Sequence, residues 1–313
     1  MFGPKRFFHG IPRQALLHTL FLCMFAPGAF AALGENYIQT EAVCPVCGHA
    51  FSGPAFSEMF IVASHRDFRS ATEERLTSLL DGFYYMQPLR SCPDCGLTLP
   101  DGFYREMTLV PDGEAFVAKI TAYLRSDEFK NADKNGPPHF RFARVVERMD
   151  PKALEDNPLH MFFLAFWYAA GSWQAEGHSY PDLEYAANPE YAVSCLEESA
   201  DRFDSGFAQL REASPTQLAF TELILQACYM NADVNRKLGR MDKAKNALDA
   251  YRRQSETASS SYRDGPIVPE ADLRLSGLDR MAERLERLVA AGDSTSRIYL
   301  KDYLETPEEQ PEE

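Results

Sequence analysis

The sequence predicts an α+β fold that is mostly helical, with a small β module followed by an antiparallel array of helices. Three observations predict this class. Two CPxCG segments, Cys44–Gly48 and Cys92–Gly96, are each followed by residues typical of strands and turns. From Asp112 onward, apolar residues recur every three to four positions, which is the helical period. A chain of 313 residues with 45% hydrophobic content is long enough to bury a sizeable core.

The first 31 residues have the order of an export signal. Positive charge lies in residues 1–14, a mostly apolar stretch follows at 15–26, and Ala29-Phe30-Ala31 places small residues where a signal peptidase cuts. A retained membrane anchor is the alternative, but a stretch of about 12 residues is shorter than the roughly 20 that a bilayer requires. We therefore expect residues 1–31 to be removed and the protein to be exported, either periplasmic or extracellular.

The acidic charge excludes some classes of partner. The whole chain carries a net charge of −14, and losing Lys5, Arg6 and Arg13 with the signal leaves 29 basic against 46 acidic residues, a net charge of −17. Nucleic acid and anionic membrane surfaces repel such a chain. We expect no nucleic-acid partner and no membrane span after signal cleavage.

Four cysteines form the candidate metal site, namely Cys44, Cys47, Cys92 and Cys95. In each CPxCG segment, called a knuckle below, proline fixes φ and the final glycine tolerates a positive φ, so the turn can aim both sulfurs at one ion. Two knuckles supply the four thiolates that tetrahedral Zn²⁺ prefers, with no coordination position open to a substrate. The sequence therefore predicts a structural zinc ion in a zinc-ribbon-like module at residues 32–111.

The two halves of this module are similar at a constant offset of 48 residues. Besides the knuckles, this offset pairs Phe51 with Leu99 and Phe56 with Tyr104. We expect two knuckle-plus-strand halves around one metal, with residues 60–62 extending the first strand. The 44 residues between the second and third cysteines exceed the roughly 15 to 20 of compact zinc modules.

Two alternatives stay open for these cysteines, because an exported protein meets an oxidising compartment. Each pair can close on itself as a disulfide, or act as the redox dithiol of a thiol-disulfide oxidoreductase. A redox CxxC pair normally opens a helix, whose N-terminal dipole lowers the thiol pKa, whereas strand or turn residues follow both pairs here. We favour structural zinc.

Residues 112–254 are predicted to form a tetratricopeptide (TPR)-like helical domain. The run 161–170 is apolar on every side but only ten residues long, which predicts a buried helix and not a membrane span. Other helices are expected at 116–124 and 140–149, separated by a break at 133–138, and after the caps at Asn188 and Ser214.

Gly239 and Ala244 have the spacing of half a TPR repeat, with glycine at the interhelical turn and alanine where two helices approach closely. Cys195 and Cys228 are expected to be buried apolar residues without a bridge, because antiparallel helices would offset them by roughly 7.5 Å.

The remaining C-terminal residues are predicted as a loop, helices and a tail. Residues 255–269 contain three consecutive serines, a glycine and two prolines, which favours a loop. Residues 270–304 should pack helices on the array, and 305–313, with five Glu and two Pro, should form a disordered acidic tail. The expected apolar stripe is Leu278, Met281, Leu285 and Leu288.

With these motifs identified, the chain resembles a bacterial family designated domain of unknown function 2225. The resemblance covers about residues 41–255 and rests on both knuckles and on an LGxxxxA motif, here Leu238-Gly239 and Ala244. Arg66-Asp67 and Tyr84-Tyr85 resemble charged and aromatic positions between the knuckles. The resemblance implies TPR-like helices after the knuckles and no assigned activity, and export sets this chain apart from a family that mostly lacks a signal.

No catalytic motif is recognisable: the sequence has no HExxH, no GxSxG and no glycine-rich phosphate loop. The histidines beyond the signal lack metal-like spacing and are expected at the surface or in the core: His49, His65, His139, His160 and His178. We expect a non-enzymatic, zinc-stabilised scaffold that binds a protein or peptide through its helical surface. The alternatives are the thiol oxidoreductase and a subunit of a larger envelope assembly, and the sequence does not predict an oligomeric state.

Overall fold

A computed structural model describes residues 37–56, 89–100, 104, 113–149, 158–177, 187–212, 218–263 and 269–296. In these ranges the chain is mostly helical, with two short β-hairpins on its N-terminal side, which confirms the predicted α+β class. The predicted signal, the strand at 60–62, the helix cap at Ser214 and the residues after 296 lie outside the described ranges.

Each knuckle forms the turn of an antiparallel hairpin. In the first hairpin β1 (Tyr37–Val43) pairs with β2 (Ala50–Phe56), and in the second β3 (Leu89–Ser91) pairs with β4 (Thr98–Pro100). Val43 lies opposite Ala50, and 48 residues later Ser91 lies opposite Thr98. The predicted offset between two similar halves is therefore confirmed by the strand register.

Seven α-helices follow within the described ranges. They are α1 (Gly113–Arg125), α2 (Pro138–Met149), α3 (Pro158–Ala175), α4 (Pro189–Glu212), α5 (Leu218–Lys237), α6 (Met241–Arg263) and α7 (Pro269–Ala290). A π-helical turn, Phe129–Asp133, lies between α1 and α2. The predicted cap at Asn188 is confirmed, because its side-chain oxygen accepts the N–H of Tyr191 at 3.4 Å.

Helices α3 and α4 are antiparallel and close. Phe162, early in α3, contacts Phe203 and Phe207, whereas Gly171, later in α3, lies against Cys195. A side chain at Gly171 would meet the Cys195 sulfur at 3.2 Å, so the missing side chain permits the approach. The apolar run 161–170 is packed into this interface, as predicted. Among the described residues, no helix is both long and apolar enough to cross a membrane.

The predicted glycine turn lies between α5 and α6, and the predicted small residue lies where the two helices meet. Gly239 has a φ of +71°, and the N–H of Arg240 reaches the carbonyl of Asn235 at 2.8 Å, which ends α5 tightly. Ala244 is fully buried one turn into α6. The small side chain is therefore placed where the two helices meet.

The predicted loop at 255–269 is wrong for residues 255–263, which continue α6. The hydroxyl of Thr257 donates to the Arg253 carbonyl one turn earlier at 2.9 Å, and that of Ser255 donates to Asp279 of α7 at 3.1 Å. The polar side chains thus find partners on the helix and do not interrupt it. Residues 264–268 lie outside the described ranges, and Pro269, the last residue of the predicted loop, instead begins α7.

The described residues form two main apolar cores. One is built by α3 to α7 and contains Cys228 together with the predicted residues Leu278, Met281 and Leu285 of α7. The other joins the two hairpins to α1, the π-helical turn and α2. Trp167 of α3 borders both cores. The knuckles are therefore anchored on the first helices of the chain.

Candidate metal centre

The structure brings all four predicted ligands into one cluster. The sulfurs of Cys44, Cys47, Cys92 and Cys95 all lie within 4.8 Å of one another. Two contacts join the knuckles, Cys44 Sγ to Cys95 Sγ and Cys47 Sγ to Cys92 Sγ, both at 3.5 Å. A tetrahedral ion with zinc–sulfur bonds near 2.3 Å places its sulfurs about 3.8 Å apart, so the four thiols can hold one metal ion.

The cysteines are free thiols in this geometry. A disulfide requires sulfurs about 2.05 Å apart, well below the contacts of 3.5 Å. Cys44 and Cys92 are each only 1% exposed, whereas Cys95 is half-buried and Cys47 is exposed. One knuckle therefore presents a sulfur to solvent while its partner sulfur is enclosed.

Both knuckles have the same backbone hydrogen bonds. In the first, the N–H of Cys44 donates to the His49 carbonyl and the N–H of Gly48 donates to the Cys44 carbonyl, each at 2.9 Å. In the second, the corresponding bonds run from Cys92 to Leu97 at 2.8 Å and from Gly96 to Cys92 at 2.9 Å. Gly48 and Gly96 have φ values of +73° and +79°, which confirms the predicted left-handed glycines.

Electrostatics favour the thiolate form at Cys44. The thiol of Cys95 donates a hydrogen bond to its sulfur and, with the backbone N–H groups of Cys47 and Val46, lowers the Cys44 pKa to about 5. The same contact with Cys44 raises the pKa of Cys95. Burial raises the pKa of Cys47 to about 11, so Cys44 gives up its proton more readily than Cys47 or Cys95.

Tyr104 supports the second knuckle from within the core. Its hydroxyl donates to the carbonyls of Leu97, at 2.6 Å, and Arg90, at 3.1 Å. The Leu97 carbonyl also accepts the N–H of Cys92, so Tyr104 holds an atom that shapes the knuckle. Its ring meets Phe51 edge-on at 5.4 Å and thereby connects the two hairpins. Burial raises the pKa of Tyr104, which keeps the hydroxyl a donor at neutral pH.

Arg90 links the two hairpins through the buried interior, a position that no sequence motif indicates. It is 1% exposed, and its guanidinium donates to the Thr40 carbonyl at 3.1 Å and to the Thr40 hydroxyl. Its aliphatic stem lies on Gly53, where a Cβ would come within 3.1 Å. Since arginine is rarely buried, strand pattern alone predicts an exposed residue at this position.

Helix α2 contacts the second knuckle through Arg141. Arg141 donates to the Ser91 hydroxyl at 2.8 Å and to the Gly96 carbonyl at 3.4 Å. The Phe129 ring closes over Gly96, where a Cβ would be 3.0 Å from the ring. These contacts join residues 33 to 50 positions apart in the chain, so no local sequence signal indicates them.

None of the histidines that the structure describes joins the cluster. His49 is exposed, His139 and His160 are buried in the helical part, and His65 and His178 lie outside the described residues. In the part of the chain that the structure describes, the four cysteines are the one group of three or more His, Cys, Asp or Glu residues arranged to hold a metal.

A second polar cluster, absent from the sequence prediction, lies between α2, α3 and α4. Glu147 accepts hydrogen bonds from Arg202 at 2.7 Å, Tyr168 at 2.9 Å and Arg144 at 3.3 Å. Arg144 also donates to Glu198 at 2.8 Å. Hydrogen bonds thus link five side chains from three helices, which fixes the relative position of these helices.

Comparison with protein-family models, curated proteins and solved structures finds no match for this chain. The four thiols can hold a metal ion, and a strand follows each knuckle.

Proposed function

We propose that this protein is an exported scaffold in which the four cysteines bind a structural zinc ion and the helical array binds a protein or peptide. The observation that carries the proposal is the cluster of four sulfurs within 4.8 Å. Four thiolates are a soft, tetrahedral donor set, which suits Zn²⁺ better than Mg²⁺ or Ca²⁺.

A structural role suits the position of the site. The ligands come from two hairpins separated in sequence by 44 residues, so an ion there would tie them together. When bound, zinc would supply four bonds at the place where the hairpins meet, and Tyr104, Arg90 and Arg141 hold the surrounding backbone. A set of four thiolates leaves no open position for substrate, which favours a structural over a catalytic metal.

The oxidoreductase alternative has less support. In each hairpin the second cysteine is followed by a glycine and then by a strand, β2 or β4, so no helix dipole acts on either pair. The partner-binding part of the proposal is supported by the half-repeat at Gly239 and Ala244 and by the resemblance to a family of TPR-like helices without an assigned activity.

Metal analysis tests the zinc assignment. Protein purified without chelator should contain one zinc ion per chain, and Cys92→Ser should remove most of it because three thiolates bind zinc much more weakly. Cys195→Ser is the matched control, since Cys195 is buried away from the cluster and should leave the zinc content unchanged. Metal-free native protein, or equal zinc loss in both variants, would refute the assignment.

Fractionation and crosslinking test export and partner binding. N-terminal sequencing of the exported form should begin at Ala32. A photo-crosslinking residue at Val193, which is 52% exposed on α4, should capture the same protein or peptide repeatedly. The same group at Ala118, exposed on α1, should not capture it. Retention of residues 1–31, or identical products from both positions, would contradict the respective part of the proposal.

A further inference from the structure

The sulfur contacts pair the cysteines across the knuckles. Both contacts of 3.5 Å join one knuckle to the other, Cys47 to Cys92 and Cys44 to Cys95. Each contact combines a nearly inaccessible sulfur with a more accessible one, because Cys92 and Cys44 are 1% exposed whereas Cys95 is half-buried and Cys47 is exposed. An oxidant in solution would therefore meet Cys47 first.

We propose that the centre is a site of oxidative modification: oxidation begins at Cys47 and closes the cross-knuckle disulfide Cys47–Cys92, followed by Cys44–Cys95. This proposal builds on the zinc site proposed above. It differs from disulfides within each CxxC pair, which the sequence spacing suggests. The oxidant we consider is hydrogen peroxide.

The chemistry balances in two steps. Cys47, which zinc ligation would keep as a thiolate, attacks one peroxide oxygen, the O–O bond breaks, and a sulfenic acid and hydroxide form. The Cys92 thiolate then attacks the Cys47 sulfur, so that the S–S bond forms as the S–O bond breaks and a second hydroxide leaves. Peroxide gains two electrons and each thiolate loses one. Two thiolates remain, too few for a closed tetrahedral site, so a bound zinc ion would be released. A second molecule of peroxide would then oxidise Cys44 and Cys95 by the same two steps, again leaving two hydroxides.

Closing the first disulfide requires little rearrangement. The Cys47 and Cys92 sulfurs must approach by about 1.5 Å to reach the bond length of about 2.05 Å. The link would enclose a long loop, with 44 residues between the two cysteines, whereas a disulfide within one knuckle encloses two. A longer enclosed loop restricts the unfolded chain more. Cross-knuckle disulfides would thus hold the hairpins together after the metal has left.

Peptide mapping distinguishes the two pairings. Zinc-loaded protein is treated with hydrogen peroxide, zinc release is followed with a colorimetric chelator, and remaining thiols are alkylated before non-reducing trypsin digestion. No Lys or Arg lies between the cysteines of either knuckle, and Arg66 and Arg90 separate the two knuckles. Cross-knuckle disulfides therefore join peptide 91–105 to the peptide that ends at Arg66. Disulfides within the knuckles leave two separate peptides, each lighter by two hydrogens, and would overturn the proposal.

Two further measurements test the order and the specificity. Dimedone, which traps sulfenic acids, should label Cys47 before any other cysteine, and earlier label on Cys92 or Cys44 would overturn the order. Cys195 and Cys228, both buried, should remain reduced and serve as internal controls. The double variant Cys44→Ser/Cys95→Ser should form its disulfide about tenfold faster than Cys44→Ser/Cys92→Ser, because only the first keeps a contact of 3.5 Å.

The zinc content before oxidation tests the proposed function, and the peptide map tests the modification. Metal-free protein that forms cross-knuckle disulfides would refute the zinc site but support the modification. Zinc-bound protein that forms disulfides within its knuckles would support the zinc site but refute the modification. The two failures are therefore distinguishable.

Discussion

At the scale of single residues, the two knuckle glycines share a backbone conformation but differ in their surroundings. A Cβ at Gly96 would be 3.0 Å from the Phe129 ring, whereas a Cβ at Gly48 would have no atom within 4 Å. Both residues have a positive φ, so alanine is strained at either position. Alanine substitutions at the two glycines therefore separate the free-energy cost of a left-handed alanine from the cost of packing a side chain against Phe129.

We expect Gly48→Ala to lower the free energy of unfolding by about 1 kcal/mol, the usual cost of a left-handed alanine. Gly96→Ala should cost about 2 to 4 kcal/mol, because overpacking against Phe129 adds to the same strain. Chemical denaturation at saturating zinc measures both values. An equal decrease in the free energy of unfolding of the two variants would show that the contact with Phe129 adds no cost of its own.

Tyr104→Phe tests the support of the second knuckle. The ring contact with Phe51 is kept, but the carbonyls of Leu97 and Arg90 lose their donor, which should lower the free energy of unfolding by about 1 to 2 kcal/mol. We also expect faster transfer of zinc to a competing chelator. Tyr191→Phe is the control, because its hydroxyl bonds the Ala132 carbonyl away from the cysteines and should not change zinc transfer.

At the scale of elements, the sequence predicted what local pattern determines. The repeated CPxCG segments indicated two similar hairpins, and the strand register reproduces their offset of 48 residues. The end of α6 could not be predicted, because Ser255 and the serines that follow it favour a loop, whereas in the structure the Ser255 hydroxyl donates to Asp279 of α7. Secondary-structure propensity depends on the residue type, and it does not include the helix that packs against a polar residue in the folded protein.

The same limit applies to the candidate site. The sequence identified all four cysteines of the cluster that could hold a metal ion, because spacing within each knuckle is local. It missed Arg90, Arg141 and Tyr104, whose contacts join distant segments of the chain. Ligand identity was therefore predictable, whereas the residues that hold the ligands in place depend on tertiary structure.

The cluster around Glu147 provides a test at this scale. Glu147→Gln removes the negative charge that faces Arg144 and Arg202, and we expect a loss of about 2 kcal/mol in the free energy of unfolding because the site is largely buried. Asp204→Asn, in an exposed ion pair with Lys243, should cost less than about 0.5 kcal/mol. Thermal or urea unfolding compares the two variants. A similarly small change in the free energy of unfolding of both would show that the Glu147 cluster stabilises the protein no more than an exposed ion pair does.

At the scale of the whole molecule, two cores depend differently on the cysteines. The hairpins share one core with α1, the π-helical turn and α2, and this core includes Cys44 and Cys92. The other core is formed by α3 to α7 and contains no residue of the cysteine cluster. The array therefore has the apolar contacts to stay folded even if the two hairpins unfold.

Metal removal should consequently unfold the molecule in two stages. Chelation should release the hairpins first, while α5 and α6 keep their protection, because their core is complete without the knuckles. Hydrogen exchange measured before and after chelation would show early loss of protection at the N–H groups of Gly48 and Gly96, both hydrogen-bonded within their knuckles. The helical circular dichroism signal should fall only slightly. Simultaneous loss of protection in the knuckles and in α5 would instead show that the cysteine cluster stabilises the entire molecule.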